Sequence, residues 1–223
     1  MKKKLMAGAL VMGCIGLLAI AYLGRGPHAG HDHGLEALAQ TLLPVEGGEP
    51  VAFAALVSAD GAPFGPERLK GRWSLVFFGF TSCPDVCPTT LQLLSEVARH
   101  AASGIPEGAS GVSAGATQIV FVTVDPQRDT PAHLKSYLAH FDERIVGLTG
   151  SRDALERFAA GLGAASAPSG SGAIDHSTSL FALDPQGRLA GIMLRPADPA
   201  RIVADLAVLR TSAAGRAHAS HAH

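Results

Sequence analysis

Two cysteines carry the chemistry of this chain. Cys83 and Cys87 stand three residues apart in the string FFGFTSCPDVCPTT at residues 77–90. A run of apolar, aromatic and β-preferring residues from Leu75 to Phe80 stops at Thr81, and beyond the cysteines Cys87, Leu91, Leu94 and Ala98 recur on one helical face. The pair is therefore expected where a buried strand turns into a helix. A first helical turn presents unpaired N–H groups and the positive end of the macrodipole, which favour thiolate over thiol. Pro88 fits there because its missing N–H is not needed. Residues four apart on a helix have Cα atoms roughly 6 Å apart, within disulfide range. The two sulfurs can close on each other or converge on one soft metal ion; thiolates select Cu(I), Zn or iron–sulfur clusters. A structural disulfide is the plainer alternative, but this bridge would close almost no loop, and chain-entropy stabilisation grows with the loop closed.

The elements that must position the pair follow from the pattern around it. Residues 51–64 alternate apolar and small side chains into Asp60-Gly61, an N-terminal hairpin expected at an edge. After the cysteine helix, which ends near Ala102, residues 104–116 are rich in Gly, Ser and Ala and read as a mobile loop. Ile119–Val124 is an unbroken apolar strand of the kind buried on both faces. Thr130 then caps a helix with Pro131 in its first turn and Leu134, Tyr137, Leu138 and Phe141 inward. A strand at Ile145–Leu148 and a helix carrying Leu155, Phe158, Ala159 and Leu162 come next, followed by a second small-residue stretch at 163–173. Strands at 177–183 and 189–194 flank the turn Asp184-Pro185-Gln186-Gly187 as an antiparallel hairpin. Asp198 and Pro199 open a last helix with Ile202, Val203, Leu206 and Leu209 facing a sheet. This alternation predicts an α/β fold, a central mixed β-sheet flanked by helices.

Of the 223 residues, 47% are hydrophobic and the formal net charge is −1, which argues for a packed core and against a general attraction to nucleic acid. Residues 5–23 hold no charged side chain and are long enough to cross a bilayer. Lys2, Lys3 and Lys4 precede them and Arg25 follows, so the N-terminus is expected in the cytoplasm and the domain outside, in a periplasm. Without those four charges residues 26–223 carry about −5. The expected organisation is a single-pass inner-membrane anchor at 1–25, a His-containing linker at 26–50, the α/β domain at 51–210 and a His-rich disordered tail at 211–223. Val11-Met12-Gly13-Cys14 is a loose match to a lipoprotein cleavage site, which leaves a cleaved signal peptide or a lipidated Cys14 as the alternative.

The string FFGFTSCPDVCPTTL, with VDPQRDTP at 124–131 and DHS at 175–177, resembles the signature of the Sco/SenC family of copper-binding proteins. The resemblance runs from about Val51 to Leu209. It implies a thioredoxin-like sandwich, a membrane anchor, and copper delivery to the Cu(A) site during assembly of cytochrome c oxidase, whose copper-bearing subunit would be the partner. Another periplasmic copper chaperone is a further expected partner. Carried over by position, the family's copper ligands fall on Cys83, Cys87 and His176, a donor set suited to Cu(I) and Cu(II). Asp125 and Asp129 match the family's acidic motif; Asp129 is expected to help begin the following helix and Asp125 to act on the site from behind the ligands. Gly172-Ala173-Ile174 lacks the aromatic residue associated with this position in relatives.

Other readings stay open beside this one. The cysteines can be a thiol–disulfide reductase pair that keeps the oxidase cysteines reduced, or serve a redox or copper sensor. An enzyme would then be a thiol–disulfide oxidoreductase, whereas a metallochaperone turns nothing over. His28, His31, His33, His218, His221 and His223 make up six of the ten histidines and either scavenge metal or are simply solvated. His100, His133 and His140 read as exposed helix positions, and Met6, Met12 and Met193 as packing.

Overall fold

The computed structural model describes residues 42–53, 55–102, 117–164, 179–194 and 196–220. Among these residues eight strands make one sheet: β1 (Leu42–Pro44), β2 (Leu56–Ser58), β3 (Pro63–Phe64), β4 (Ser74–Gly79), β5 (Gln118–Thr123), β6 (Val146–Gly150), β7 (Leu180–Leu183) and β8 (Leu189–Met193). Their order across the sheet is β1-β8-β7-β4-β5-β6-β2-β3. β4, β5 and β6 pair in parallel and every other neighbouring pair of strands is antiparallel, so the sheet is mixed as predicted. Four helices accompany it: α1 (Val86–Ala102), α2 (Pro131–Leu138), α3 (Arg152–Gly161) and α4 (Pro199–Ser220).

β4 is buried at all six positions because both of its faces are covered. Successive side chains of a strand point to opposite faces. Leu75 and Phe77 accordingly join Leu91 and Leu94 of α1, Leu134 of α2 and Leu206 of α4. Val76 and Phe78 turn to the other side, with Leu155 and Phe158 of α3 and Leu69. Each such side chain contributes on the order of 1.5–3 kcal/mol by leaving water. The parallel pairing of β4 with β5 places the ends of both strands, Gly79 and Thr123, side by side.

The predicted local signals operate as expected where they are described. Thr130 Oγ1 accepts the His133 N–H at 3.3 Å, with Pro131 opening α2. The Asp198 carboxylate accepts the Ala200 N–H at 2.9 Å at the start of α4. In the β7–β8 turn, Gly187 takes φ 75° and donates its N–H to Asp184 O at 2.9 Å, a left-handed conformation that a side chain would oppose.

Two boundaries differ from expectation. The segment expected as a linker to residue 50 contributes β1, which pairs with β8 at the sheet edge. Three residues ending in proline give no periodic signal, and proline is tolerated at an edge because the donor it lacks has no partner strand to serve. The last helix runs to Ser220, past the expected boundary at 210, so residues 211–220 are not a disordered tail. Thr211 Oγ1 and Ser212 Oγ bond back to Ala207 O at 2.9 Å and Val208 O at 3.0 Å, which satisfies these hydroxyls within the helix. The anchor at 1–25, the rest of the linker to residue 41, the loop at 104–116 and residues 221–223 lie outside the described residues. No helix of the described residues is long and apolar enough to cross a membrane.

Candidate functional site

β4 ends at Gly79, the chain turns through Phe80–Asp85, and α1 begins at Val86, so both cysteines lie at the predicted strand-to-helix junction. Both are free thiols, Cys83 half-buried and Cys87 only 1% exposed. The Cys87 N–H donates to Cys83 Sγ at 3.4 Å, so the sulfur takes one of the otherwise unpaired N–H groups of the first helical turn. Cys87 points into the core beside Phe77, Leu91 and Phe121. That approach requires Gly79: a Cβ there would stand 2.9 Å from Cys87 Sγ and 2.8 Å from the Phe121 ring.

The two sulfurs differ electrostatically, although the helix start was expected to favour a thiolate at both. Burial opposes ionisation of Cys83, but the backbone N–H groups of Cys87, Asp85 and Val86 outweigh it and hold its pKa below the ordinary thiol value. Burial dominates at Cys87, and with the Cys83 sulfur close by pushes its pKa up to about 12, against a smaller opposing bond from the Phe80 backbone. Of the pair, Cys83 is thus the more readily ionised, and Cys87 holds its proton until a partner displaces it.

Behind the turn sits a carboxylate that sequence reasoning misplaced. Asp129 is fully buried and does not cap α2, a task done by Thr130. Its Oδ1 accepts the Thr81 hydroxyl at 2.5 Å, and its Oδ2 accepts both the Thr81 N–H at 3.1 Å and the Thr123 hydroxyl at 2.5 Å. Thr123 Oγ1 in turn accepts the Asp125 N–H at 2.9 Å. His133 is exposed as expected, yet its Nε2 lies 3.0 Å from Thr81 Oγ1. The Thr81 proton is committed to Asp129, so the imidazole must be the donor in this contact. The Tyr137 hydroxyl is buried with no hydrogen-bond partner among the described residues. Burial, then the charges of Cys87, Cys83 and Asp129, push its pKa up to about 12.

Of the three predicted ligands, Cys83 and Cys87 are brought together. His176 lies outside the described residues, as do Asp175 and the 172–174 segment. Among the described residues no three His, Cys, Asp or Glu side chains gather where they could hold a metal ion. Asp125 is engaged with Arg128, 3.7 Å away at the surface.

The SCO1/SenC family model matches residues 51–210. A Stutzerimonas stutzeri protein described as copper-binding is 38% identical over 159 residues, covering 70% of this chain and 73% of its own. A SCO2-like protein of Rickettsia conorii is 40% identical over 105 residues, so the match spans 45% of each chain, less than half of that relative. The crystal structure of yeast Sco1 with copper bound is 30% identical and superposes with a TM-score of 0.58 over 74% of this chain and 92% of its own. The likeness carries the predicted α/β sandwich.

Proposed function

This chain belongs to the SCO1/SenC family, and from that premise we propose that it is a copper metallochaperone. Cys83, Cys87 and His176 hold copper and pass it by ligand exchange to the Cu(A)-bearing subunit of cytochrome c oxidase. The family relatives support the cargo, since the yeast protein was crystallised with copper. Residues 1–25 anchor the domain to the inner membrane with the copper site on the periplasmic side, where another copper chaperone supplies the metal.

One observation carries the three-ligand reading. Antiparallel pairing sets Leu180, the first residue of β7, beside Phe77, near the end of β4 that leads into the cysteines. His176 is four residues upstream, and four residues span at most about 14 Å. The imidazole is therefore within chain reach of the cysteine end of the sheet. Two thiolates and an imidazole suit copper in either oxidation state. Deprotonation of Cys87 accompanies metal binding, so uptake releases a proton from this buried thiol.

The asymmetry of the thiols favours a second activity at the same pair. The Cys83 thiolate attacks one sulfur of a disulfide on the recipient, forming a mixed disulfide and releasing the other sulfur as a thiolate. Cys87, once deprotonated, attacks Cys83 Sγ and releases the second recipient thiol, so two electrons pass to the recipient and Cys83–Cys87 is left oxidised. Complementation of a host lacking this protein separates the two. A metallochaperone loses Cu(A) assembly on His176→Ala and on Cys83→Ala. Full oxidase assembly by His176→Ala, with loss only on the cysteine substitutions, overturns the copper-delivery reading in favour of the reductase.

A further inference from the structure

The peptide unit joining Phe80 to Thr81 is held at both ends. Its carbonyl, Phe80 O, accepts the Cys83 N–H at 3.2 Å. Its N–H, from Thr81, donates to Asp129 Oδ2 at 3.1 Å. The unit is planar, so fixing the N–H fixes the direction of the carbonyl. The preceding N–H, that of Phe80, bonds to the Cys87 sulfur. One short stretch of backbone therefore touches both cysteines, and a carboxylate 48 residues away in sequence sets its orientation.

We infer that Asp129 is the positioning residue of the cysteine pair: through Thr81 it fixes the backbone that holds Cys83 and Cys87 at their working separation. Its three donors, Thr81 N–H, Thr81 Oγ1 and Thr123 Oγ1, occupy both carboxylate oxygens, and none of them is charged. The bond to Thr123 ties this arrangement to the end of β5, and β5 is buried from Ile119 onward. His133 closes it on the outside by donating to Thr81 Oγ1. The turn that presents Cys83 is thereby clamped to the rigid middle of the sheet instead of resting on the loop alone. A supporting group of this kind typically governs metal affinity by about 10–100-fold without touching the metal.

This inference rests on the copper reading for its affinity effect, but the positioning itself is measurable without metal. In Asp129→Asn the side chain keeps one acceptor oxygen where the carboxylate has two, so at least one of the three donors loses its acceptor. Thr81→Val removes a hydroxyl at a half-buried position and Thr123→Val removes one away from the turn. With the full reduced chain, the alkylation rates of Cys83 and Cys87 and the potential of the pair against glutathione are measured first, followed by competitive copper titration. Asp129→Asn and Thr81→Val are expected to lower the ratio of Cys83 to Cys87 alkylation, shift the potential and weaken copper by about 10–100-fold. Thr123→Val, which frees the carboxylate from β5 but leaves both Thr81 donors, is expected to shift ratio, potential and affinity in the same direction by less, together with a loss of thermal stability. If Asp129→Asn and Thr81→Val lose only stability, with alkylation ratio, potential and copper affinity unchanged, Asp129 is structural and the inference is wrong. If the wild type takes up no copper, the metallochaperone reading fails, and the metal-free alkylation ratio and potential still decide the role of Asp129.

Discussion

At the cysteine end of the sheet a buried carboxylate is surrounded by uncharged donors; along α4 the buried charges are handled differently. Asp129, fully buried, is met by three hydrogen bonds from two threonines. Asp205, 5% exposed, is paired with Arg201 at 2.9 Å on its own helix, and burial still raises its pKa despite that arginine. Arg210, further along α4, donates to Thr117 Oγ1 at 2.8 Å and lies 6.0 Å above the Trp73 ring, with burial lowering its pKa. Hydrogen bonds have direction and can fix the orientation of a peptide, whereas an ion pair between neighbouring turns constrains little beyond its own helix. The difference teaches where precision is required: α4 has only to stay docked, but the turn before α1 has to hold two sulfurs in place.

Substitution at Gly79 should produce the largest combined effect. Gly79→Ala forces a Cβ against Phe121 and Cys87, costing about 1–3 kcal/mol in chemical denaturation and changing the alkylation rate of Cys87 in the folded protein. Unchanged cysteine reactivity would mean that the strand end does not govern the site. Arg210→Ala tests the other region: loss of the Trp73 and Thr117 contacts should cost about 1–2 kcal/mol and leave the ratio of cysteine reactivities as in the wild type. A changed ratio would break the division between the two regions.

The comparison also predicts a pH dependence. A carboxyl whose folded pKa is raised binds its proton more tightly in the folded state, so its contribution to stability is present below the ordinary carboxylate pKa and is lost as pH rises through the folded value. For Asp205 the shift is upward, with burial its first cause. Asp205→Asn should therefore gain stability relative to wild type as the pH is raised from about 3 to about 7, measured as the difference between paired denaturation curves. A relative loss over that range would show that Arg201 more than offsets the burial. The smallest effect is expected at Tyr137, whose hydroxyl is buried without a partner among the described residues. Tyr137→Phe should raise stability by about 1 kcal/mol, and a fall in thermal denaturation temperature would reveal a bond to this hydroxyl in solution.

The sequence made the strand-to-helix junction legible because its signal is local: apolar residues through Phe80, then helical spacing from Cys87. Both covered faces of β5 were readable for the same reason, as the unbroken apolar run Ile119–Val124. Asp129 was misread because it immediately precedes Thr130-Pro131, where an acidic side chain suits a helix start, while its partner Thr81 is distant in the chain. Nothing in the spacing of VDPQRDTP reveals that its second aspartate faces inward. The unequal thiols were likewise hidden, since helical position alone gives both cysteines the same N-terminal field and only packing shows Cys87 to be in the core. β1 was missed for its brevity and the end of α4 for its small polar residues, which usually mark a loop.

The central claim, that Cys83, Cys87 and His176 together hold copper, is tested most directly by X-ray absorption at the copper edge. The sample is the copper-loaded full chain with His28, His31, His33, His218, His221 and His223 replaced by alanine, so that the terminal histidines contribute no signal. The account predicts two sulfur scatterers and one imidazole, with the imidazole lost in His176→Ala and both sulfurs retained. A shell of nitrogen and oxygen alone, or an imidazole that survives His176→Ala, would contradict it.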